Sequence, residues 1–171
     1  MDAAVSAARE KLKNVTPLKK DCGRVCGARC CRPLDGEETG MLLFPGEAEA
    51  YADKPGWKIL PAARGDLVIC PGTCGRDERP LSCRLFPLLP LIRDDGTVRA
   101  AVDLRARAVC PLARQGKSAM DPAFIDAVRE AGEILARSKE QAVFLDMLEE
   151  EQQQLKEIRD AFGDQGPGIS E

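Results

Sequence analysis

The spacing of apolar positions changes along the chain. Over the last third they recur at helical intervals: Phe124, Val128, Ala131 and Leu135, then Val143, Phe144, Met147 and Leu148. Steps of three and four residues place these side chains on one face, which predicts helices over 122–137 and 139–162. Asp121-Pro122 opens the first, and Ser138 followed by Gln141 resembles a capping box at the second. The last turns, 149-EEEQQQLKEIRDAF-162, keep only Leu155, Ile158 and Phe162 apolar. They read as a solvated helix packing one narrow stripe, with a dimerising helix as the sharper alternative.

Earlier in the chain the apolar runs are short. An amphipathic helix is expected over 2–15, capped by Asp2 and ended by Thr16-Pro17. A turn at 36–40 precedes a short strand at 41–44, and 47–53 fits a short helix. Residues 57–60 and 67–70 read as strands separated by a turn containing Pro61 and Gly65. Residues 71–80 read as irregular loop. Segments 88–94 and 97–104 flank Asp95-Gly96, a strong hairpin signal, and Pro90 argues for an edge strand. Residues 113–121 read as a linker.

Composition changes this picture in one respect. Aromatic residues make up only 4% of 171 residues, so the core rests on Leu, Val, Ile and Ala, and something else must hold the loops. The eight cysteines are the candidates. Cys22, Cys26, Cys30 and Cys31 fall in 21-DCGRVCGARCCRPL-34, followed by Cys70, Cys74, Cys83 and Cys110, with none in the final 61 residues. Histidine is absent, which excludes Ser-His-Asp and Cys-His catalysis and any zinc site with a histidine ligand. The N-terminus lacks the apolar core of a secretory signal, and no apolar run reaches the ~18 residues of a membrane span. A reducing cytoplasm is therefore expected, where clustered cysteines read as metal ligands ahead of disulfides or a metal-free redox pair.

Charge is uneven: residues 1–35 hold eight basic and four acidic residues, and 121–171 hold five and thirteen. Nucleic acid is not the expected partner, because the basic residues lack interleaved stacking aromatics. Instead Arg24, Arg29, Arg32, Arg79 and Arg84 read as cations that balance thiolates.

Cys22, Cys26 and Cys30 are spaced for one face of a helix, but Gly23 and Gly27 weaken a helix and favour a loop. In either conformation the adjacent Cys30 and Cys31 point in different directions. Zinc takes four thiolates and so does a [4Fe–4S] cluster, so eight cysteines suffice for two sites, and the sequence leaves the division open. Three-residue intervals between cysteines are compatible with iron–sulfur, whereas zinc more often uses two. Phe86 and Trp57 read as core residues.

The cysteine run together with Cys70, Cys74 and the block 79-RPLSCRLFP-87 resembles the CxxCxxCC family, a zinc- or iron-chelating domain of YkgJ-like proteins that also occurs in flagellin lysine N-methylases. The resemblance covers roughly residues 20–112, and the block Arg79, Pro80, Cys83, Arg84, Phe86 and Pro87 is its most specific part. Both intervals of the first run are one residue longer than the family pattern, and Asp77 and Glu78 stand where an aromatic residue is usual. The resemblance implies a metal-binding cysteine-cluster protein. It leaves two alternatives: an S-adenosylmethionine-dependent protein lysine methylase with an iron–sulfur cluster, and a metal-stapled interaction module using the C-terminal helices. No Gly-rich nucleotide loop follows a strand, and the chain is too short for a radical-enzyme barrel. Arg79 and Arg84 are candidate contacts to the cluster or a bound substrate, or else forks that hold loop carbonyls.

The expected class is α+β: a small cysteine-rich domain of short strands and loops, stapled by metal, followed by a helical C-terminal region. The expected divisions are an N-terminal helix at 1–17, the cysteine domain at 18–112, C-terminal helices at 113–163 and a disordered tail at 164–171.

Overall fold

Asp2 caps the first helix, α1 (Ala3–Lys11), by accepting from the N–H groups of Ala4 and Val5. The computed structural model describes residues 1–32, 40–72 and 74–162. Most of the expected turn at 36–40, and the expected tail at 164–171, lie outside the described residues. The helix stops short of Thr16-Pro17. Arg76 takes the reason from far away: its Nε donates to the carbonyl of Lys13 at 2.8 Å and its Nη2 donates to that of Val15. Leu12, the C-cap residue, is buried instead of continuing the helix.

The cysteine run is neither a regular helix nor plain loop. It forms one turn of helix, α2 (Gly23–Cys26), and a 3-10 turn (Arg29–Cys31). Between them Gly27 (φ 67°) and Ala28 (φ 54°) are left-handed, a conformation natural to glycine and uncommon for alanine. Three short strands and a short helix follow in the order expected: β1 (Met41–Leu42), α3 (Glu49–Ala52), then β2 (Lys58–Ala62) and β3 (Gly65–Ile69). The β2–β3 connection is only Ala63-Arg64, so Pro61 and Gly65 are strand residues and not turn residues. β3 is central, with β1 and β2 antiparallel on either side.

The 71–80 stretch contains a 3-10 turn (Arg76–Glu78), after which Pro80 leads into α4 (Leu81–Leu85), a helix the sequence did not announce. β4 (Leu88–Ile92) and β5 (Val98–Val102) form the expected hairpin around Asp95-Gly96, and Gly96 supplies the positive φ of 79°. Pro90 lies opposite Ala100 in this two-stranded sheet, where each strand is an edge. A 3-10 turn (Leu104–Ala108), α5 (Pro111–Gln115) and another 3-10 turn (Lys117–Ala119) follow, so the expected linker at 113–121 carries the end of α5 and a 3-10 turn.

Helices α6 (Pro122–Leu135) and α7 (Lys139–Phe162) form where the apolar periodicity predicts them, but Val143, expected on the apolar face, is exposed, and Leu145 is buried in the core instead. Asp121 caps α6 by accepting from Ala123 N–H. The capping box expected for α7 is not formed. The Gln141 side chain is buried, its Nε2 donates to Pro45 O at 3.0 Å, and its Oε1 has no partner.

One core unites α1, α4, the β4–β5 hairpin, α6 and α7. Val5, Leu12, Phe44, Leu81, Leu85, Leu88, Phe124, Val128, Leu135, Leu145 and Leu148 are among its fully or almost fully buried members. α6 lies so close to the hairpin that a Cβ at Gly132 would stand 2.4 Å from Pro90 Cβ and 2.6 Å from Val98 Cγ1. A smaller cluster, Leu43, Tyr51 and Val68, supports the three-stranded sheet. The class is α+β.

Candidate metal centre

All eight cysteines have free thiols, and they come from six short elements. Cys22 is the N-cap of α2 and Cys26 its last residue. Cys30 and Cys31 end the 3-10 turn that follows. Cys70 leaves β3, Cys74 lies in the next loop, Cys83 is inside α4, and Cys110 is the N-cap of α5. Cys30 is exposed and the other seven are half-buried.

Two cavities receive them. The first, about 470 Å³, is walled by Cys22, Cys26, Cys30, Cys83 and Cys110, with Leu12, Val15, Val25, Phe86 and Leu112 as apolar lining. The second, about 350 Å³, is walled by Cys30, Cys31, Cys70, Cys74 and Cys83, with Met41, Trp57, Phe86 and Phe144. Phe86 is thus a half-buried cavity residue, while Trp57 lines the second cavity and also packs against the smaller core cluster, as a core residue would. Trp57 also stacks on Tyr51, with ring centroids 4.9 Å apart. The sulfurs of Cys30 and Cys31 are 3.8 Å apart. Among the described residues, no three Cys, Asp or Glu side chains converge closely enough to hold a single ion.

Arginine dominates the cationic lining. Arg29 and Arg79 border both cavities, Arg76 and Arg84 the first, and Arg32 and Arg105 the second. Arg84 is committed to backbone: Nε donates to Arg79 O at 3.1 Å, Nη1 to Arg9 O at 3.2 Å and Nη2 to Asp77 O at 2.9 Å. It therefore ties α1 to the loop that carries Arg79. In contrast, the Nε of Arg79 is buried with no hydrogen-bond partner.

Thiol acidity follows these surroundings. Burial, then the neighbouring Cys26, Asp21 and Cys110, push the Cys22 thiol up. Burial and Cys70 do the same to Cys74, against the pull of Arg79. Cys83 is raised by burial first and then by Cys31, Cys74 and Cys70. Cys30 and Cys31 share a hydrogen bond, which raises Cys30 and lowers Cys31 to about 6. Burial opposes the charge on Arg79, but Cys74 and Cys31 outweigh it and hold the guanidinium charged. Cys22, Cys30, Cys74 and Cys83 are thus held toward the neutral thiol, and Cys31 alone among the shifted cysteines is held toward the thiolate.

Two buried carboxylates position these elements, and neither was visible as such in the sequence. Glu47 is fully buried and accepts from Phe44 N–H (3.2 Å), Leu81 N–H (3.0 Å) and Arg9 Nη1 (3.0 Å). Burial pushes its carboxyl up, opposed by those three donors. Arg9 also donates to Tyr51 Oη and to Asp77 O, so one ionic knot fixes α1, α3 and the start of α4. Asp103 accepts from Gln152 Nε2 at 3.0 Å and from the Arg105 guanidinium, while Gln152 Oε1 accepts from Leu104 N–H at 2.8 Å. Arg105 then bridges to Glu151 at 2.9 Å. This network anchors to α7 the turn that delivers Cys110. Phe44 and Arg105 lie only three and two positions from their carboxylates, but Arg9, Leu81 and Gln152 lie 34 to 49 positions from theirs, so no local pattern could have signalled the networks as a whole.

No family model matches the chain, and neither the curated proteins nor the solved structures contain a significant match. The family resemblance rests on the cysteine run, Cys70, Cys74 and the Arg-Pro block alone.

Proposed function

We propose that this chain is a metal-binding cysteine-cluster protein whose thiolates hold an iron–sulfur cluster or zinc. The observation that supports this most is that all eight cysteines, drawn from across 89 residues of sequence, line two adjoining cavities. Cysteines used as packing would be scattered through the apolar core, and none belongs to it. The donor set fits: it is thiol throughout, with arginine alongside to offset negative charge. The unpartnered Nε of Arg79 is a polar group that lacks only an acceptor.

The three-residue intervals from Cys22 to Cys26 to Cys30 and from Cys70 to Cys74 are compatible with iron–sulfur, whereas zinc more often uses two-residue intervals. When bound, the group would supply folding free energy to the loops and, if it is a cluster, electron transfer or activation of a ligand. The setting would be a reducing compartment, the cytoplasm being the simplest. Among the described residues no helix is long and apolar enough to cross a membrane.

Two observations favour second readings. The first cavity, at about 470 Å³, lies within the ~300–1,000 Å³ range of ligand pockets. It keeps the methylase-like alternative in play, to be tested by binding of S-adenosylmethionine to the metal-loaded chain. Ile158 and Phe162 are 56% and 75% exposed near the end of α7, the placement expected of a partner-binding helix.

The main test is metal analysis of anaerobically purified protein. Iron with matching acid-labile sulfide, and a visible charge-transfer spectrum, are expected. Colourless protein carrying zinc would support the ion instead. Protein that holds neither metal and stays fully folded in chelator would overturn the proposal.

A further inference from the structure

We propose that the eight cysteines build two separate four-thiolate centres, Cys22, Cys26, Cys30 and Cys110 at the first cavity and Cys31, Cys70, Cys74 and Cys83 at the second. This rests on the metal-binding reading above and specifies its stoichiometry and ligands. Three thiols border only the first cavity (Cys22, Cys26, Cys110) and three only the second (Cys31, Cys70, Cys74), while Cys30 and Cys83 lie in the wall between. Zinc and [4Fe–4S] each take four cysteines, so each triad needs one of the two shared thiols.

Chain geometry decides which. Cys30 is joined to the α2 turn by the left-handed pair Gly27-Ala28, and Ala28 N–H donates back to Gly23 O at 2.8 Å. That folds Cys30 toward Cys22 and Cys26. Cys31 is held by the other loop: Gly72, midway between Cys70 and Cys74, lies so close that a Cβ there would be 3.0 Å from Cys31 O. Cys83 then completes the second set, and its strongest thiol neighbours are Cys31, Cys74 and Cys70. The strongest thiol neighbours of Cys30, beyond adjacent Cys31, are Cys22 and Cys26. The adjacent pair thus serves two centres, one on each side of a single peptide bond. Arg79 borders both cavities, where one guanidinium can offset charge on either centre.

The test is metal content per chain in the anaerobically reconstituted full-length protein. The wild-type chain should carry two centres. Cys26→Ser with Cys110→Ser should halve the metal, Cys70→Ser with Cys74→Ser should also halve it, and the fourfold variant should lose it all. If either double variant empties the chain, the thiols form one shared centre and the division is wrong. If the wild-type chain holds one centre that only one double variant removes, the division is also wrong although metal binding stands. A wild-type chain without metal overturns the metal reading itself. Should a variant lose its helical circular dichroism, unmutated protein answers instead. During limited chelation, alkylation mapped by mass spectrometry should expose the cysteines in the two proposed sets. A single class of eight, or classes that mix the sets, would overturn the proposal.

Discussion

Helix α6 and the α2 turn show two ways of holding a segment in place. α6 buries Phe124, Ala127, Val128, Ala131, Gly132 and Leu135 against α1 and the β4–β5 hairpin. The α2 turn and the 3-10 turn after it bury no residue at all. The first is stabilised by apolar area removed from water, which needs no other component. The second has left-handed backbone, exposed or half-buried thiols and little contact to hold it. The comparison teaches that this aromatic-poor chain concentrates its apolar residues in one core and leaves the cysteine turns without it; the proposed metal ligation is what would order them.

Glu47 is where the two regions meet, and it offers the strongest way to break the comparison. Glu47→Ala leaves Arg9 without its buried partner and the N–H groups of Phe44 and Leu81 without an acceptor. Breaking a buried ion pair of this kind costs about 3–5 kcal/mol. Stability in denaturant should fall by that amount, and metal content should fall with it, because α4 carries Cys83. Gly132→Ala should instead separate the regions. The added methyl meets Pro90 and Val98, an overpacking worth about 1–3 kcal/mol, offset in part by the better helix propensity of alanine. Core stability should drop while metal content stays unchanged. The smallest effect is expected at Val143, which is 62% exposed on α7. Val143→Ser should change stability by no more than about 0.5 kcal/mol and leave metal content alone, as titration and metal analysis would show. A larger loss would mean that α7 presents this face to a partner copy.

What the sequence revealed follows the same line between the regions. α6, α7 and the β4–β5 hairpin were legible, because periodic apolar positions and Asp95-Gly96 are local signals. The clustering of the thiols was legible in the sequence, but their distribution over two cavities was not, since it depends on Gly72 meeting Cys31 and on Cys110 arriving from the far end of the hairpin. Long-range partners also explain the errors. Gln141 looked like half of a capping box but is drawn to Pro45 O, 96 positions earlier. α1 was expected to reach 15 but ends where Arg76 claims its following carbonyls. α4 escaped notice because five residues are too few for periodicity to show. Glycine was read as a loop former in the cysteine run, and the closest packing of all, at Gly132, lies in a helix.

The most direct test of the contrast is amide hydrogen exchange of the metal-loaded full-length chain before and after chelation. Thiol-ligated loops predict that amides in 22–31, 70–83 and 105–112 lose protection on chelation, while those in α6 and the β4–β5 hairpin keep theirs. Unchanged protection in the cysteine segments, or an equal loss across α6, would contradict a metal-held region beside a self-sufficient apolar core.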